Sequence, residues 1–233
     1  MKIGIVCYPT FGGSGVVATE LGLQLSKSKY ELHFITYKQP VRLEIINSSL
    51  FFHEVNVPDY PLFHYQPYEL ALSSKLVDTV KKYKIELLHV HYAIPHAYAA
   101  YMTKQILQSE NINIPIVTTL HGTDITLVGK HPFYKPAVRF SINNSDFVTS
   151  VSEDLKNETK KLFNINREIK VIPNFVDFSK YMNHKQDFDR EFIAFQDEKI
   201  ISHVSNFRKV KKTLDVIDIF YKIQKEVKSK LIM

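Results

Sequence analysis

The sequence predicts an α/β fold. The expected architecture is a Rossmann-like parallel sheet with helices on both faces, plus the start of a second Rossmann-like domain. Three observations carry this expectation. Apolar runs of strand length alternate with segments of helical period from residue 3 to residue 175. The first run leads straight into a glycine-rich turn, Gly12-Gly13-Ser14-Gly15. A polar stretch then interrupts the pattern, and a strand followed by a helix restarts it near Ile200. Alternation of this kind implies βαβ units, whose right-handed crossovers place helices on both faces of one sheet.

Strands are expected at residues 3–8, 32–37, 51–57, 87–91, 116–121, 147–151 and 170–175. Helices are expected at roughly 15–28, 68–83, 96–109, 136–144 and 152–163. The opening Met1-Lys2-Ile3-Gly4-Ile5-Val6 has one lysine before a short apolar run, without the long apolar region or cleavage site of a signal peptide. It reads as a buried first strand. Residues 1–178 form the expected first domain, 179–198 a linker and 199–233 an incomplete second domain. The linker is polar, with Asp187, Asp189, Arg190 and Glu191 close together and a short helix expected within it. The second domain should hold a strand at 200–205, a helix from about 213 to 227, and the start of another strand at Leu231-Ile232-Met233. Two strands cannot close a sheet, so the sequence is expected to be a truncated piece.

Composition narrows the function. With 45% hydrophobic and 23% charged residues the chain is ordinarily globular, and it has no run of about twenty apolar residues that would insert stably in a membrane. The single cysteine, Cys7, permits neither an internal disulfide nor a cysteine zinc site and reads as a buried thiol. A cytoplasmic location is the default expectation. A net charge of +6 and a pI near 9.1 favour anionic partners. No basic-aromatic ladder suggests nucleic acid, so a basic cleft for a phosphorylated small molecule fits better. A homo-oligomer is compatible with all of this.

Several motifs carry chemistry. Gly13, Gly15 and Ala18 satisfy G-x-G-x-x-A, and a glycine turn before a helix suits a close-approaching anion. A dinucleotide site also wants an acid at the end of the second strand, where this chain has Ile35-Thr36-Tyr37-Lys38. An oxidoreductase is therefore disfavoured. In Leu87-Leu88-His89-Val90-His91-Tyr92, period two puts His89 and His91 on one face. With His96 nearby a metal site is conceivable, but no local carboxylate completes it, and packed strand histidines are the preferred reading. Tyr92 lies just past the carboxyl end of its strand, where open sheets bind ligands. Thr119 and His121 point the same way at the end of the fifth strand, and Asp124 reads as a helix cap or Asx turn. Arg139, on a helix after Pro136, is by itself only a surface charge. Arg208, Lys209, Lys211 and Lys212 crowd the turn after strand 200–205, where they would suit a leaving diphosphate.

Together, the opening through Gly12-Gly13-Ser14-Gly15, the runs His89-Val90-His91-Tyr92-Ala93-Ile94-Pro95-His96 and Thr118-Thr119-Leu120-His121-Gly122-Thr123-Asp124, and Ser205-Asn206-Phe207-Arg208-Lys209-Val210-Lys211 resemble GT-B glycosyltransferases of family four. The likeness covers nearly the whole chain. It implies two Rossmann-like domains facing a cleft, the first for the acceptor and the second for the nucleotide sugar. It further implies a retaining transfer of N-acetylglucosamine from UDP-N-acetylglucosamine (UDP-GlcNAc) to the hydroxyl of L-malate, the first step of bacillithiol biosynthesis. Ser14, Tyr92, Thr119 and Arg139 would bind the acceptor, and His121 would act near the reacting carbon. Gly13 and Gly15 would approach the donor. Arg208 and Lys211 would hold the diphosphate, with Lys212 the alternative if the register shifts by one. No metal or other cofactor is implied. Many members carry Gly-Arg-Leu where this chain has Asn206-Phe207-Arg208, and the family's Glu-x7-Glu segment would fall after Met233. A family-four transferase with another acceptor (inositol phosphate, lipid or polysaccharide) stays open, as does a non-catalytic anion- or sugar-binding fragment.

Overall fold

The computed structural model describes residues 1–44, 47–59, 61–62, 64–182 and 190–233. Asp187 and Asp189 of the expected linker lie outside the described residues. The chain divides into two compact units, residues 1–175 and 176–233.

The first unit is built on seven strands: β1 (Lys2–Val6), β2 (Glu31–Thr36), β3 (Leu50–Glu54), β4 (Leu87–His91), β5 (Ile116–Leu120), β6 (Phe147–Ser150) and β7 (Lys170–Val171). All pair in parallel, in the order β3-β2-β1-β4-β5-β6-β7. Its helices are α1 (Gly13–Lys27), α2 (Tyr68–Tyr83), α3 (Tyr98–Ser109), α4 (Lys135–Asn144) and α5 (Glu153–Phe163). The strand order reverses between β1 and β4. A crevice therefore opens beyond their carboxyl ends, the place where doubly wound sheets bind ligands.

Strand alternation divides the core. Ile3 and Ile5 of β1 and Leu32 and Phe34 of β2 pack with Leu23 of α1. Val6 and Ile35, of opposite parity, pack with Leu72 and Leu76 of α2 and with Ala100 of α3. Both sheet faces are thus covered, as the near-continuous apolar strands require. Gly22 lets α1 sit close on the sheet, since a Cβ there would lie 2.9 Å from Ile5 Cδ1. Helix ends follow local chemistry. The Ser152 hydroxyl caps α5 by accepting from Leu155 N at 3.1 Å, and Asn164, with φ of 51°, ends it.

The second unit contains a short helix α6 (Ser179–Met182), β8 (Lys199–Ser202), α7 (Thr213–Ile223) and β9 (Ser229–Ile232). β8 and β9 pair in parallel, and none of the residues of α7 is buried. Several elements are shorter than the sequence suggests: β1 ends at Val6, β3 at Glu54 and β8 at Ser202. β7 stops at Val171 because Pro173 follows and has no N–H to donate. α7 stops at Ile223 rather than near residue 227.

Candidate functional site

The crevice at the reversal receives the glycine turn from β1 and Tyr92 from β4. Helix α1 begins at Gly13, where a Cβ would meet nothing within 4 Å. That end of the helix, with free N–H groups and a positive dipole, is open to a ligand. Gly15 differs. It is buried, and a Cβ would lie 2.6 Å from Thr10 O and closer still to Tyr8 O. Glycine is needed there so that the turn can close on the helix.

Three hydroxyls converge beside it. Ser14 Oγ donates to Tyr92 Oη at 3.0 Å, and Tyr92 Oη shares a proton with Thr123 Oγ1 at 2.8 Å. The Tyr92 ring meets Tyr8 edge-on at 5.2 Å. Tyr92 has φ of 89°, a region that non-glycine residues avoid. Such strain persists where the surroundings over-determine it, often at ligand sites. Here the ring is held by Ser14, Thr123 and a stacked His121 at 5.6 Å.

Behind the hydroxyls runs a row of imidazoles. His89 stacks on His91 at 4.6 Å, as their shared strand face predicts. His91 Nδ1 lies 2.8 Å from His121 Nε2, and His89 Nε2 lies 2.8 Å from Thr119 Oγ1. Thr119 also bonds Thr149 at 2.8 Å. His96 Nδ1 donates to the His91 carbonyl at 2.5 Å. Burial lowers the pKa of His89, His96 and His121 to about 4 and takes His91 well below its ordinary value. All four are neutral at pH 7. Among the described residues they have no carboxylate partner, and no three His, Cys, Asp or Glu side chains are placed to hold a metal ion.

Asp124 holds the two exit loops together. It is 1% exposed. Oδ2 accepts from Ala93 N at 3.0 Å, and Oδ1 accepts from Gly122 N at 3.0 Å and His121 N at 3.2 Å. One carboxylate thereby ties the end of β4 to the end of β5, fixing the backbone on either side of the Tyr92–His121 stack. Burial pushes its pKa up to about 6 against the pull of those N–H donors.

The structure thus joins Ser14, Tyr92 and His121, and sets Thr119 in the row beside them. Arg139 is exposed on α4 and lines an open groove with Lys135, Phe140 and Lys161. Among the described residues it bonds none of the cluster. Arg208 and Lys211 lie in the second unit, on the exposed turn between β8 and α7. Lys212 there has φ of 50° and pairs with Asp215 at 3.8 Å. Sequence reasoning missed Thr123 as the third hydroxyl and Thr149 as the partner of Thr119. It read Asp124 as a local turn, and its bonds to His121 N and Gly122 N fit that. Its bond to Ala93, 31 residues away, had no local signal. No helix among the described residues is long and apolar enough to cross a membrane.

Comparison with known proteins agrees with this architecture. The chain is 47% identical, over its whole length, to N-acetyl-alpha-D-glucosaminyl L-malate synthase of Bacillus anthracis, and it spans 61% of that protein. Among solved structures, it superposes on sucrose-phosphate synthase from Thermosynechococcus elongatus with a TM-score of 0.70, at 15% identity. That match covers 99% of this chain and 61% of the synthase. Anabaena Alr3699/HepE, solved with UDP and glucose, matches with a TM-score of 0.69 at 15% identity, over 99% of this chain and 60% of its own. These likenesses identify the fold as GT-B. The model of Glycosyltransferase Family 4 matches residues 11–180, and the chain belongs to that family.

Proposed function

We propose that this chain supplies the acceptor wall, and the first donor-binding turn, of a retaining transferase that moves N-acetylglucosamine from UDP-GlcNAc to the hydroxyl of L-malate. The observation that carries the reading is the 47% identity, along all of this chain, to a protein named for that product. The crevice geometry supports it. Ser14, Tyr92 and Thr119 offer hydroxyls at the carboxyl ends of the strands. Arg139 lies on the groove of α4 rather than in the hydroxyl cluster, so its role toward a substrate carboxylate, which a planar guanidinium matches bidentately, rests on the likeness and not on the crevice geometry. The open end of α1 at Gly13 would face the donor, with Gly15 letting the turn close beneath it. Arg208 and Lys211 neutralise the diphosphate as UDP leaves, and the diphosphate oxygen takes the malate proton on the face where the new bond forms. In this reading no metal is required, and the reaction belongs to bacillithiol biosynthesis in the cytoplasm.

The test is UDP release by the full-length gene product with UDP-GlcNAc and a panel of acceptors. Activity with L-malate but not succinate, which lacks the hydroxyl, is expected, with an α-linked product. A second reading has one observation in its favour: the bonded cluster of Ser14, Tyr92 and Thr123 is three hydroxyls with no cation, which also suits a polyhydroxyl acceptor. Turnover with a sugar or inositol acceptor and none with L-malate would establish it instead.

A further inference from the structure

We propose that His91 is a positioning residue that holds His121 in the tautomer protonated on Nδ1, so that His121 presents an N–H to the crevice and not a lone pair. The 2.8 Å contact between His91 Nδ1 and His121 Nε2 needs one proton between the two nitrogens. Either ring can supply it, and the two choices differ in what they leave behind. If His121 donated, neutral His91 would carry its own proton on Nε2. That atom is buried without a partner, and orphaned buried N–H groups are the rarer and costlier kind. If His91 donates, its Nε2 is a bare acceptor and no donor is stranded. The second arrangement wins.

The consequence passes to His121. Its Nε2 is occupied as an acceptor, and burial keeps the ring neutral, so its single proton sits on Nδ1. Nδ1 of His121 has no partner among the described residues and is not among the buried orphans, so it is the accessible nitrogen. The ring cannot easily turn. It is bonded edge to edge to His91, with ring centroids 5.1 Å apart, and lies against the Tyr92 ring at 5.6 Å, and its own backbone N–H is held by Asp124. His91 in turn is fully buried, and its carbonyl is held by His96. This is the arrangement by which a second group sets which ring nitrogen of a histidine is protonated. If the transferase reading above holds, and this clause rests on it, His121 donates a hydrogen bond to an oxygen of the bound sugar and does not take the acceptor's proton. The tautomer itself does not depend on that reading.

The test is a long-range 15N–1H spectrum of residues 1–233 labelled at histidine, at pH 7. The His121 signals are assigned by their loss in His121→Gln. A protonated nitrogen resonates far upfield of a bare one, so the tautomer is read directly. His121 is expected to be protonated on Nδ1. In His91→Phe an aromatic edge still fills the site and the bond is gone, so His121 should shift toward the Nε2–H form that imidazole favours in water. In His91→Asn an amide donor stands near the place of Nδ1, and the Nδ1–H form should be retained. His121 protonated on Nε2 in the unsubstituted chain would overturn the proposal. So would an Nδ1–H signal that persists in His91→Phe. If one variant fails to fold, the unsubstituted spectrum and the other variant still decide. A UDP-release assay that fails while the spectrum agrees would count against the transferase reading alone.

Discussion

Two histidine networks in the first unit look alike and are organised differently. In the first, on β2 and β3, His33 Nδ1 lies 2.8 Å from His53 Nε2 and the near-coplanar rings meet edge to edge, with centroids 5.1 Å apart. In the second, at β4 and β5, His91 and His121 repeat those distances, 2.8 Å and 5.1 Å. The first network ends on a carboxylate. Glu31 Oε1 accepts from His33 Nε2 at 2.9 Å and pairs with Lys2 at 2.9 Å. Glu31 therefore sets the direction of the protons, from His53 to His33 to Glu31. The second network has no such anchor. Its carboxylate, Asp124, accepts from backbone N–H groups of the loops and touches no imidazole. A carboxylate on the ring closes a network and makes it a brace. A carboxylate on the backbone fixes the frame and leaves an imidazole edge, that of His121, facing the crevice.

Acid should test this contrast most strongly. Burial lowers the pKa of His33, His53, His89, His91, His96 and His121. Between the ordinary value of 6.5 and about 4, the unfolded chain binds protons that the folded chain does not, so stability falls as pH falls through that window. Asp124 works the other way. Raised to about 6, it binds its proton more tightly when folded, and so it favours folding on acidification between about 6 and 3.8. One carboxyl against six imidazoles should lose. The urea midpoint of residues 1–233 is expected to be flat from pH 8 to 7 and to drop steeply from 6.5 to 5. His91→Gln should flatten that drop more than His53→Gln, because the second network has no carboxylate to soften the burial. Equal slopes for the two variants would erase the distinction.

Asp124→Ala should be the largest single substitution effect. It strands three N–H groups around a buried site, and each unsatisfied group costs roughly 1–3 kcal/mol before relaxation, so a loss of about 3 kcal/mol is expected at pH 7. Asp124→Asn should also destabilise, because an amide N–H must then face either Ala93 N or the His121 and Gly122 pair. Denaturation of both variants checks this, and a loss below 1 kcal/mol for Asp124→Ala would show that the loops hold themselves. In the full-length protein, His121→Ala should lower kcat by about a hundredfold, the scale of removing one preorganised donor, with a smaller change in KM. A change in KM alone would make His121 a binding group rather than one felt in the transition state.

The contrast also explains what could be read from the sequence. Strand and helix alternation is local, so β1 to β6 and α1 to α5 were legible to within a few residues. The face shared by His89 and His91 follows from period two within one strand. That Ser14 and Tyr92 share one site follows from family likeness alone, and nothing local marks their bond, because they are 78 residues apart. Nothing marked His33 and His53 as a pair, since they belong to different strands whose register is set by tertiary pairing. The expected role of Arg139 depended on likeness alone, and its exposed place on α4 shows why no pattern in the sequence could supply it. The apolar run at 170–175 reads longer than β7, because Pro173 has no N–H to continue the ladder.

The smallest expected effect is at the anchor of the first network, and it is the most discriminating. Glu31→Gln keeps an acceptor for His33 and removes only the charge facing Lys2. Both side chains of that ion pair are partly exposed, at 39% for Lys2 and 30% for Glu31. Such pairs contribute about 0–1 kcal/mol, so the loss at pH 7 should be under about 1 kcal/mol. Glu31→Ala removes the acceptor as well. His33 is fully buried, and its Nε2–H would then lack a partner, so this variant should lose about 1–3 kcal/mol. Acid supplies a second signature. The Lys2 and His33 hydrogen bonds hold the Glu31 pKa below its ordinary value. Its contribution is therefore present above about pH 4.5 and lost as pH falls through the lower, folded value. Below that range the parent and Glu31→Gln should converge, whereas Glu31→Ala should stay apart. Equal losses for Gln and Ala at pH 7 would mean that Glu31 acts through charge alone and does not direct the imidazole protons. The first network would then be no better anchored than the second.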